Sequence, residues 1–525
     1  MFAKRAATAG LAAASCVILA TVAPRSACAF QPPSLRRQHG PLNISERGWP
    51  HTDHAMLARG GGASSPRSST RLNDASKSAA APSPSEEDDK AKVELTLGAA
   101  IFNLIKGCVG SGVLSLPAGV AALGDVSGAL IPATALVLLC GVVSAYSFHL
   151  LGRLTAVANA EDGDDDVAVT SIGQIWDREV GPSSSWLVTL AVLLTCSGTL
   201  LSYSILLGDI FSSFAQTAGL TGVLATRRFN VAAIAVLGIY PMCTLRDLAA
   251  LTPVSMSGVV GIFVTCVVMM LRAMPGGPYS PTGKYFGSVP VELRPSFGVT
   301  GMKSPSNLLI LSSMTATAYL VHVSGPDFYQ NLKSTSVREF TKLSSVGFGA
   351  TALISTFMMG VGFLTFGGAT KGNVLNNYSA LDGGATLCRL LLGVSLLGSY
   401  GFLGNACKKA YYQLCHKGEE ITDKLHYNTS RAMVAGLTCL ALLIKDAGFV
   451  VSLTGAVLGS ALIYMIPPFL WLRSTKRRMD GGSLESSTSL RLERLANKGL
   501  IGVGVILGLL GAYMSVLNSF FPHLL

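Results

Sequence analysis

Charged residues are scarce in this 525-residue chain: Asp, Glu, Lys and Arg together make up 13% of it, whereas half of it is hydrophobic. The mean hydropathy of +0.48 is typical of a protein with many membrane spans and excludes an ordinary soluble domain. The net charge is +11, but the basic residues lie in short loops between apolar runs. No basic patch is interleaved with aromatic residues, so we expect a lipid bilayer rather than nucleic acid as the partner.

Cysteine pairs of the C-x-x-C type are absent, although the chain has 11 cysteines. We therefore expect neither a metal site nor a disulfide framework. The sequence also lacks H-E-x-x-H, G-x-S-x-G and G-x-x-x-x-G-K, the short motifs of zinc proteases, serine hydrolases and phosphate-binding loops. These absences predict a protein that is not an enzyme and has no catalytic residues and no cofactor.

The N-terminal 90 residues differ from the rest of the chain. Residues 1–29 have a basic start, an apolar run and the small-residue signal Ala27-Cys28-Ala29, which together predict a cleaved signal peptide. Residues 30–90 are rich in Ser, Pro, Gly, Ala and Arg and lack hydrophobic periodicity, so we expect a disordered, transit-peptide-like segment. Phe30 after the cleavage signal resembles the bipartite presequence of algae with secondary plastids. The alternative is a plain secretory signal and an endomembrane or plasma membrane location.

Residues 91–525 form the predicted membrane domain. Its apolar runs are each near the ~20 residues that a helix needs to cross a bilayer. We predict an all-α membrane protein with about eleven spans. The predicted spans are at residues 95 to 120, 128 to 152, 186 to 214, 229 to 245, 250 to 272, 305 to 323, 344 to 367, 383 to 405, 430 to 445, 447 to 472 and 499 to 521. One set of alternate loops holds about twice as many basic residues as the other, which agrees with an odd number of spans.

The first span has an unusual centre. The stretch from Leu97 to Pro117 carries Asn103, Lys106 and several glycines where a spanning helix reaches mid-depth. Glycine weakens a helix by about 1 kcal/mol relative to alanine, and unwound backbone inside a membrane is tolerated only where it is buried in protein or lines a cavity. We expect the helix to break near residues 109 to 112. The alternative is that the glycines allow close helix packing.

A break at this position places the ends of two half-helices at the same cavity. We expect the second half to start at about Val113, where its free N–H groups and positive dipole end attract a carboxylate. The carbonyls that end the first half attract an ammonium group or a cation. The two ends are therefore complementary to the two charged groups of an amino acid.

The sixth span repeats this pattern. The stretch from Leu308 to Tyr329 is apolar but is interrupted by His322, Ser324, Gly325 and Pro326. Pro326 removes a backbone donor and disfavours a helical conformation at the residue before it. Two interrupted helices five spans apart predict an inverted repeat of five plus five helices, with the substrate held where the two breaks meet.

Five stretches of the chain, in the expected order, resemble signatures of the amino acid/auxin permease family. They are Asn103 to Pro117, Pro241 to Ser255, Tyr319 to Leu332, Gly362 to Tyr378 and Leu453 to Leu472. The resemblance covers most of the chain after Leu95. It implies a fold of the leucine-transporter type and a secondary transporter that moves amino acids by alternating access. The alternative is a membrane sensor that binds an amino acid without moving it.

The resemblance also implies roles for single residues. Gly110, Ser111 and Gly112 would hold the carboxylate of the substrate, and carbonyls near Tyr319 to His322 would face its amino group. The candidate substrate-binding residues are Gly110, Ser111, Gly112, Tyr319, His322 and Ser324. The candidate ion-coupling residues are Lys106, Asn103, His322 and Ser395.

The coupling ion depends on Lys106 above all. A charge at mid-depth costs about 2.5 to 3.5 kcal/mol even on insertion scales, so a lysine there needs a partner or a role. The sodium-coupled branch of the family carries Asn at this position. The proton-coupled branch has a Lys-Gly pair there, as Lys106-Gly107 does, but His in place of Asn103. We therefore favour protons, while sodium-coupled or uncoupled transport and a purely structural ammonium group remain alternatives.

Two further polar sites have both a functional and a structural interpretation. His322 titrates near neutrality when unperturbed and is a candidate proton relay, but a buried neutral histidine bonded to a backbone carbonyl is as plausible. Ser395 and Ser399 lie one turn apart and are candidate cation ligands, although serines in helices commonly bond back to their own backbone.

Overall fold

The computed structural model describes residues 95–161, 168–245, 252–416 and 420–521. The predicted signal peptide at 1–29 and the predicted disordered segment at 30–90 lie outside these ranges. The described chain is helical, and its β-structure is limited to three isolated bridges between loops. The predicted all-α class is therefore confirmed.

Helical segments coincide with the first five predicted spans. In chain order they are α1 (Leu97–Cys108) and α2 (Ser111–Leu123), α3 (Leu130–Glu161), the short surface helix α4 (Ile172–Glu179), α5 (Ser185–Thr217), α6 (Arg227–Ile234), which continues through a π-helical segment (Ala235–Ile239) into α7 (Tyr240–Thr244), and α8 (Thr252–Ala273). The first predicted span is thus two helices with a break between them.

The second half of the chain follows the same plan. Its helices are α9 (Leu308–Ala318) and α10 (Gly325–Asn331), α11 (Val337–Phe366), α12 (Gly383–Cys415), α13 (Asp423–Leu443), α14 (Ala447–Thr454), which continues through a π-helical segment (Gly455–Met465) into α15 (Ile466–Asp480), and α16 (Thr488–Phe520). The predicted sixth span is also two helices, α9 and α10.

Seven helical segments of the described chain are long and apolar enough to cross a membrane, with α9 and α10 counted as one segment and α14 and α15 as another. The number is eight if α1 and α2 form one bent span. The number of eleven crossings stays a prediction, because α6 to α8 and α13 do not reach this criterion. The division between the predicted ninth and tenth spans falls where the sequence suggested. Helix α13 ends at Leu443, and the side chain of Asp446 caps the N-terminus of α14.

Loops that the alternation of spans assigns to one side contact each other. The N–H of Leu95, before α1, donates to the carbonyl of Asn331 at the end of α10 over 2.7 Å. Near the end of α15, the guanidinium group of Arg477 pairs with Glu161 at 2.7 Å and with Glu179 at 2.9 Å. These contacts join the residue before α1 to the loop after the sixth predicted span, and the loop after the tenth predicted span to the loop after the second.

The loops of the opposite side are joined at Asp125, just after α2. Its buried carboxylate accepts hydrogen bonds from the N–H groups of Val299, Thr300 and Gly301, each at 2.7 to 2.8 Å. These donors, that of Thr300 first, hold the pKa of the Asp125 carboxyl below its usual range against the opposing effect of burial. Gly124 has φ +148°, and a Cβ there would lie 2.3 Å from the carbonyl oxygen of Gly301. The end of α2 is therefore fixed to the loop before α9.

Candidate substrate and ion site

The first span breaks at Val109 and Gly110, inside the predicted interval. The axes of α1 and α2 differ by 50°. Helix α2 begins at Ser111, two residues earlier than the sequence suggested, because Val109 and Gly110 together take up the change of backbone direction. The first N–H groups of α2, beginning with Ser111 and Gly112, have no intrahelical acceptor by helix geometry, and they lie at the break.

Gly110 and Gly112 face different surroundings. A Cβ at Gly112 would lie 2.9 Å from the Cα of Ala318 and 3.0 Å from its backbone nitrogen, so this glycine allows α2 to pack against α9. A Cβ at Gly110 would have the hydroxyl oxygen of Tyr203 on α5 as its nearest contact, at 3.4 Å. Close packing therefore explains Gly112, whereas Gly110 lines a cavity.

That cavity, called the inner cavity below, has a volume of about 50 Å³. Its walls come from the α1–α2 break and from α5, α8, α11 and α12, with one residue from the loop before α12. The lining residues are Lys106, Val109, Gly110, Leu114, Tyr203, Gly258, Gly261, Ile262, Thr265, Met358, Leu375, Leu392, Ser395, Leu396 and Ser399. The volume admits a few water molecules but no common amino acid.

The structure brings several predicted site residues together in the inner cavity. Lys106 lies in the last turn of α1, where the negative end of the helix dipole favours a cation. Ser395 and Ser399 on α12 line the same cavity as Gly110 at the break. Asn103 does not line this cavity, because it lies on an exposed face of α1.

The sixth span unwinds earlier than its sequence suggested. Helix α9 ends at Ala318, the chain is non-helical through Tyr319 to Val321, and a short 3-10 turn leads into α10 at Gly325. The expectation that Pro326 interrupts the helix is wrong. Pro326 lies in the first turn of α10, where its missing N–H has no intrahelical acceptor to lose and its fixed φ suits a helix start.

Tyr319 and His322 point from this second break towards α3. Both side chains are fully buried. The hydroxyl of Tyr319 donates to the carbonyl of Val137 at 3.1 Å, and Nε2 of His322 lies 3.1 Å from the carbonyl of Ser144, which identifies this nitrogen as the donor. Neither residue lines the inner cavity.

The packing around His322 is aromatic. Its ring centroid lies 5.6 Å from that of Phe148 on α3 and 5.6 Å from that of Phe348 on α11. Ser324, the last candidate of this group, is half-buried at the start of α10. The side chains of Tyr319 and His322 therefore hold the second break against α3 and α11.

A larger chamber, called the outer chamber below, opens on the side of Asp125 and has a volume of about 620 Å³. It is lined by residues of α2, α5, α9, α14 and α16 and of the loops before α9, α12 and α14. The turn Val374–Asn377 separates it from the inner cavity. Leu375 lines the inner cavity, whereas the next residue, Asn376, lines the outer chamber.

Charged residues inside apolar helices hold this turn in place. Asp209 on α5 accepts a hydrogen bond from the Asn376 amide at 3.0 Å and pairs with Nε of Arg227 at 2.6 Å. The guanidinium group of Arg389 on α12 is buried and donates to the carbonyls of Leu375, at 2.8 Å, and of Tyr378. Asp209 and Arg389 were missed in the sequence, although a charge within an apolar helix is a signal for such a role.

A second anchor connects the same loop to the first span. The hydroxyl of Ser115 on α2 donates to the carbonyl of Gly372 at 2.6 Å. A Cβ at Gly372 would lie 2.6 Å from the backbone nitrogen of Gly448, so the loop also packs closely against the start of α14. The loop before α12 is thus attached to α2, α5, α12 and α14.

Comparison with known proteins identifies the family. A family model described as "Transmembrane amino acid transporter protein" matches residues 94–516. The chain belongs to this family. The resemblance to amino acid permeases in the sequence is thereby confirmed, and so is the prediction that the protein is not an enzyme.

Several relatives have names that specify a type of transport. The chain is 23% identical to the mouse "Sodium-coupled neutral amino acid transporter 7" over 82% of this chain and 89% of the relative. It is 20% identical to the yeast "Vacuolar amino acid transporter 2" over 75% of this chain and 78% of the relative. A match to the Arabidopsis "Amino acid transporter AVT6E" has 23% identity and covers 53% of this chain and 54% of the relative.

Among solved structures, the chain is similar to that described as "Crystal structure of MhsT in complex with L-phenylalanine". The sequence identity is 12% and the TM-score 0.43, over 79% of this chain and 98% of that chain. The family match and the helical structure establish a multi-pass membrane protein of an amino acid transporter family.

Proposed function

We propose that this chain is a secondary transporter that moves amino acids across its membrane by alternating access and that Lys106 couples transport to protons. The observation that carries the proposal is the inner cavity. In it, Lys106, the N-terminal end of α2 at Gly110, and Ser395 meet at one helix break.

The charges at the break suit a symport mechanism. The free N–H groups and dipole of α2 attract the carboxylate of an amino acid. A protonated Lys106, beside the same cavity, adds a positive charge that strengthens this attraction. Loss of the proton weakens substrate binding, because the charge that favours the carboxylate is gone. Substrate and proton therefore bind together and leave together.

The size of the inner cavity supports a cycle with moving helices. At about 50 Å³ it is too small for an amino acid, so α1 and α2 have to move away from α5, α8 or α12 for one to bind. The turn Val374–Asn377 lies between the outer chamber and the inner cavity and closes the path from the chamber to the helix break. A transporter that alternates between two openings requires a closed arrangement of this kind between them.

The test is uptake into liposomes that contain the full-length protein. Labelled amino acids are supplied with and without an inward proton gradient, at a clamped membrane potential, and with sodium present or absent. We expect the proton gradient to stimulate uptake of the wild-type protein, and sodium to have no effect. In Lys106→Gln, exchange of labelled for unlabelled substrate should persist while the stimulation by protons is lost.

Two further variants make the result specific. Lys106→Arg keeps the charge but does not release its proton, so it should behave as Lys106→Gln in the gradient assay. Lys342→Gln removes an exposed lysine of α11 that pairs with Glu339 and should behave as wild type. Full stimulation in Lys106→Gln, or uptake driven by sodium alone, would refute proton coupling through Lys106. Amino acid binding without any exchange would favour the sensor.

The N-terminal residues support a proposal about location. The signal Ala27-Cys28-Ala29 followed by Phe30 favours a bipartite plastid presequence, and hence the plastid envelope of an alga with a secondary plastid. A fluorescent protein fused behind residues 1–90 and expressed in such an alga should enter the plastid. Replacement of Phe30 by Ala should retain it outside. Secretion of both fusions would favour the plain signal peptide instead.

A further inference from the structure

The outer chamber has an excess of positive charge. Three exposed lysines from three different loops line it: Lys303 before α9, Lys371 after α11 and Lys445 before α14. The acidic residues of its described lining are Asp209 and Asp446. The loops that form this chamber belong to the side of the protein with fewer basic residues.

The two acids do not balance the lysines. The charge of Asp209 is compensated by Arg227, whose Nε lies 2.6 Å from the carboxylate. Asp446 accepts a hydrogen bond from the N–H of Gly448 at 2.9 Å as the N-cap of α14, so its carboxylate faces a helix start. Asp446 can offset one lysine of the three, and the chamber keeps a net positive charge.

The inner cavity, like the outer chamber, has a net positive charge in its lining. Lys106 is the one charged residue among the described residues that line it. Helix α8 forms one wall, and the sequence contains no Asp or Glu between Asp247 and Glu292 that could add an acid there. Among the described lining residues, a substrate that passes from the outer chamber to the break therefore meets the three chamber lysines and then Lys106, with no carboxylate in the inner cavity.

We infer that this path selects substrates by charge: it takes amino acids of zero or negative net charge, with side-chain carboxylates favoured, and rejects amino acids with cationic side chains. This inference rests on the proposed transport function. A cationic side chain in the inner cavity would lie near Lys106 in a site of low dielectric constant, where like charges repel strongly. In the outer chamber, the lysines raise the local concentration of anions and lower that of cations.

Matched substrate pairs test the inference with size held constant. Glutamate and glutamine differ in charge but hardly in shape, and arginine and citrulline form the corresponding cationic pair. Labelled forms of all four are exchanged in liposomes that hold the full-length protein. We expect citrulline to exchange more efficiently than arginine by about tenfold or more, and glutamate at least as efficiently as glutamine. Arginine exchange equal to or faster than citrulline exchange would overturn the inference.

Variants separate the contributions of the two compartments. The triple variant Lys303→Gln/Lys371→Gln/Lys445→Gln should reduce the preference for glutamate over arginine severalfold and make it less sensitive to salt, because exposed charges are screened. The matched control is Lys342→Gln, at the other end of α11, which should leave the preference unchanged. An unchanged ratio in the triple variant would refute the role of the chamber lysines.

Failure of transport is distinguishable from failure of charge selection. If no amino acid exchanges, the proposed transport function fails, and the same four compounds are compared as stabilisers of the purified full-length protein against heat. Stabilisation by glutamate or citrulline but not by arginine would uphold charge selection at the site. Equal stabilisation by arginine, or none by any of the four, would overturn it.

Discussion

The two helix breaks both contain unwound backbone, but their surroundings differ. In the first span, two residues separate α1 from α2, and the break opens onto a cavity with Lys106 and Ser395 in its lining. In the sixth span, unwound residues and a 3-10 turn separate α9 from α10, and the side chains of Tyr319 and His322 are fully buried against α3. The first break borders a cavity, whereas the second has its side chains bound by protein.

This difference shows how unwound backbone is stabilised inside a membrane protein. Each free backbone or side-chain polar group needs a partner, because none is available from lipid. The second break obtains partners from the carbonyls of Val137 and Ser144. The first break leaves the N–H groups of α2 beside a cavity, where a substrate can serve as the partner. Variants at the two breaks test this division between a binding break and a structural break.

The largest expected effect is at the contact between the two spans. Gly112→Ala places a Cβ 2.9 Å from the Cα of Ala318, which is backbone and cannot rotate away. Such overpacking should lower the free energy of unfolding by about 3 kcal/mol. Gly110→Ala is the matched control, since its Cβ meets only the Tyr203 hydroxyl at 3.4 Å. Its thermal stability should stay near wild type while uptake falls, and equal stability losses in both variants would contradict the distinction.

A smaller effect is expected for His322. His322→Phe fills the space among Phe148 and Phe348 but removes the hydrogen bond that Nε2 donates to the carbonyl of Ser144. The free energy of unfolding should fall by about 1.5 kcal/mol, the upper range for the net contribution of one hydrogen bond, because the Ser144 carbonyl keeps its donor within α3. His322→Gln, which retains a donor, is the control and should lose less. The pH profile of uptake should be unchanged in both variants. A shifted pH profile in either variant would support His322 as an ion-coupling residue.

Tyr319 and Tyr203 form the next comparison. Tyr319→Phe removes the hydrogen bond to Val137 and should cost about 1 kcal/mol of stability, with substrate affinity unaffected. Tyr203→Phe removes a hydroxyl that lies beside Gly110 in the inner cavity. It should alter the KM for uptake and leave thermal stability nearly unchanged. If Tyr319→Phe instead altered the KM and Tyr203→Phe lowered the stability, the substrate would bind at the second break.

The smallest effect on stability is expected for single serines. Ser395→Ala removes a hydroxyl from the inner cavity, so the KM or the proton dependence of uptake should change. Ser324→Ala removes a half-buried hydroxyl at the start of α10 and should leave transport as in wild type. Both variants should fold normally. Identical transport in the two variants would remove Ser395 from the candidate site.

Much of the fold follows from local sequence. Long apolar runs locate the helices, and the glycine cluster locates the first break to within the interval 109 to 112, because glycine is the residue that most weakens a helix after proline. The sixth break was predicted too late, at His322 to Pro326. Proline ends a helix or begins one, and the sequence alone does not distinguish these roles at Pro326.

The direction of side chains could not be predicted in the same way. Whether His322 faces a cavity or a neighbouring backbone depends on α3, which is distant in sequence. Asp209 and Arg389 were missed for a different reason. Each is a lone charge in an apolar run, but the sequence does not show that both side chains bind the turn Val374–Asn377. Lys106 and Ser395 line the same cavity, and their roles in ion coupling stay predictions.

The glycine contacts between the two broken spans have a mechanical consequence. Added Cβ atoms at Gly107, Gly112 and Gly119 would meet Val321 at 3.2 Å, Ala318 at 2.9 Å and Leu311 at 2.7 Å, so glycines spread along one span touch the other over its length. Surfaces in such close contact resist sliding. We therefore expect the two spans to move together as one unit, so that the inner cavity widens at its opposite wall, formed by α5, α8 and α12.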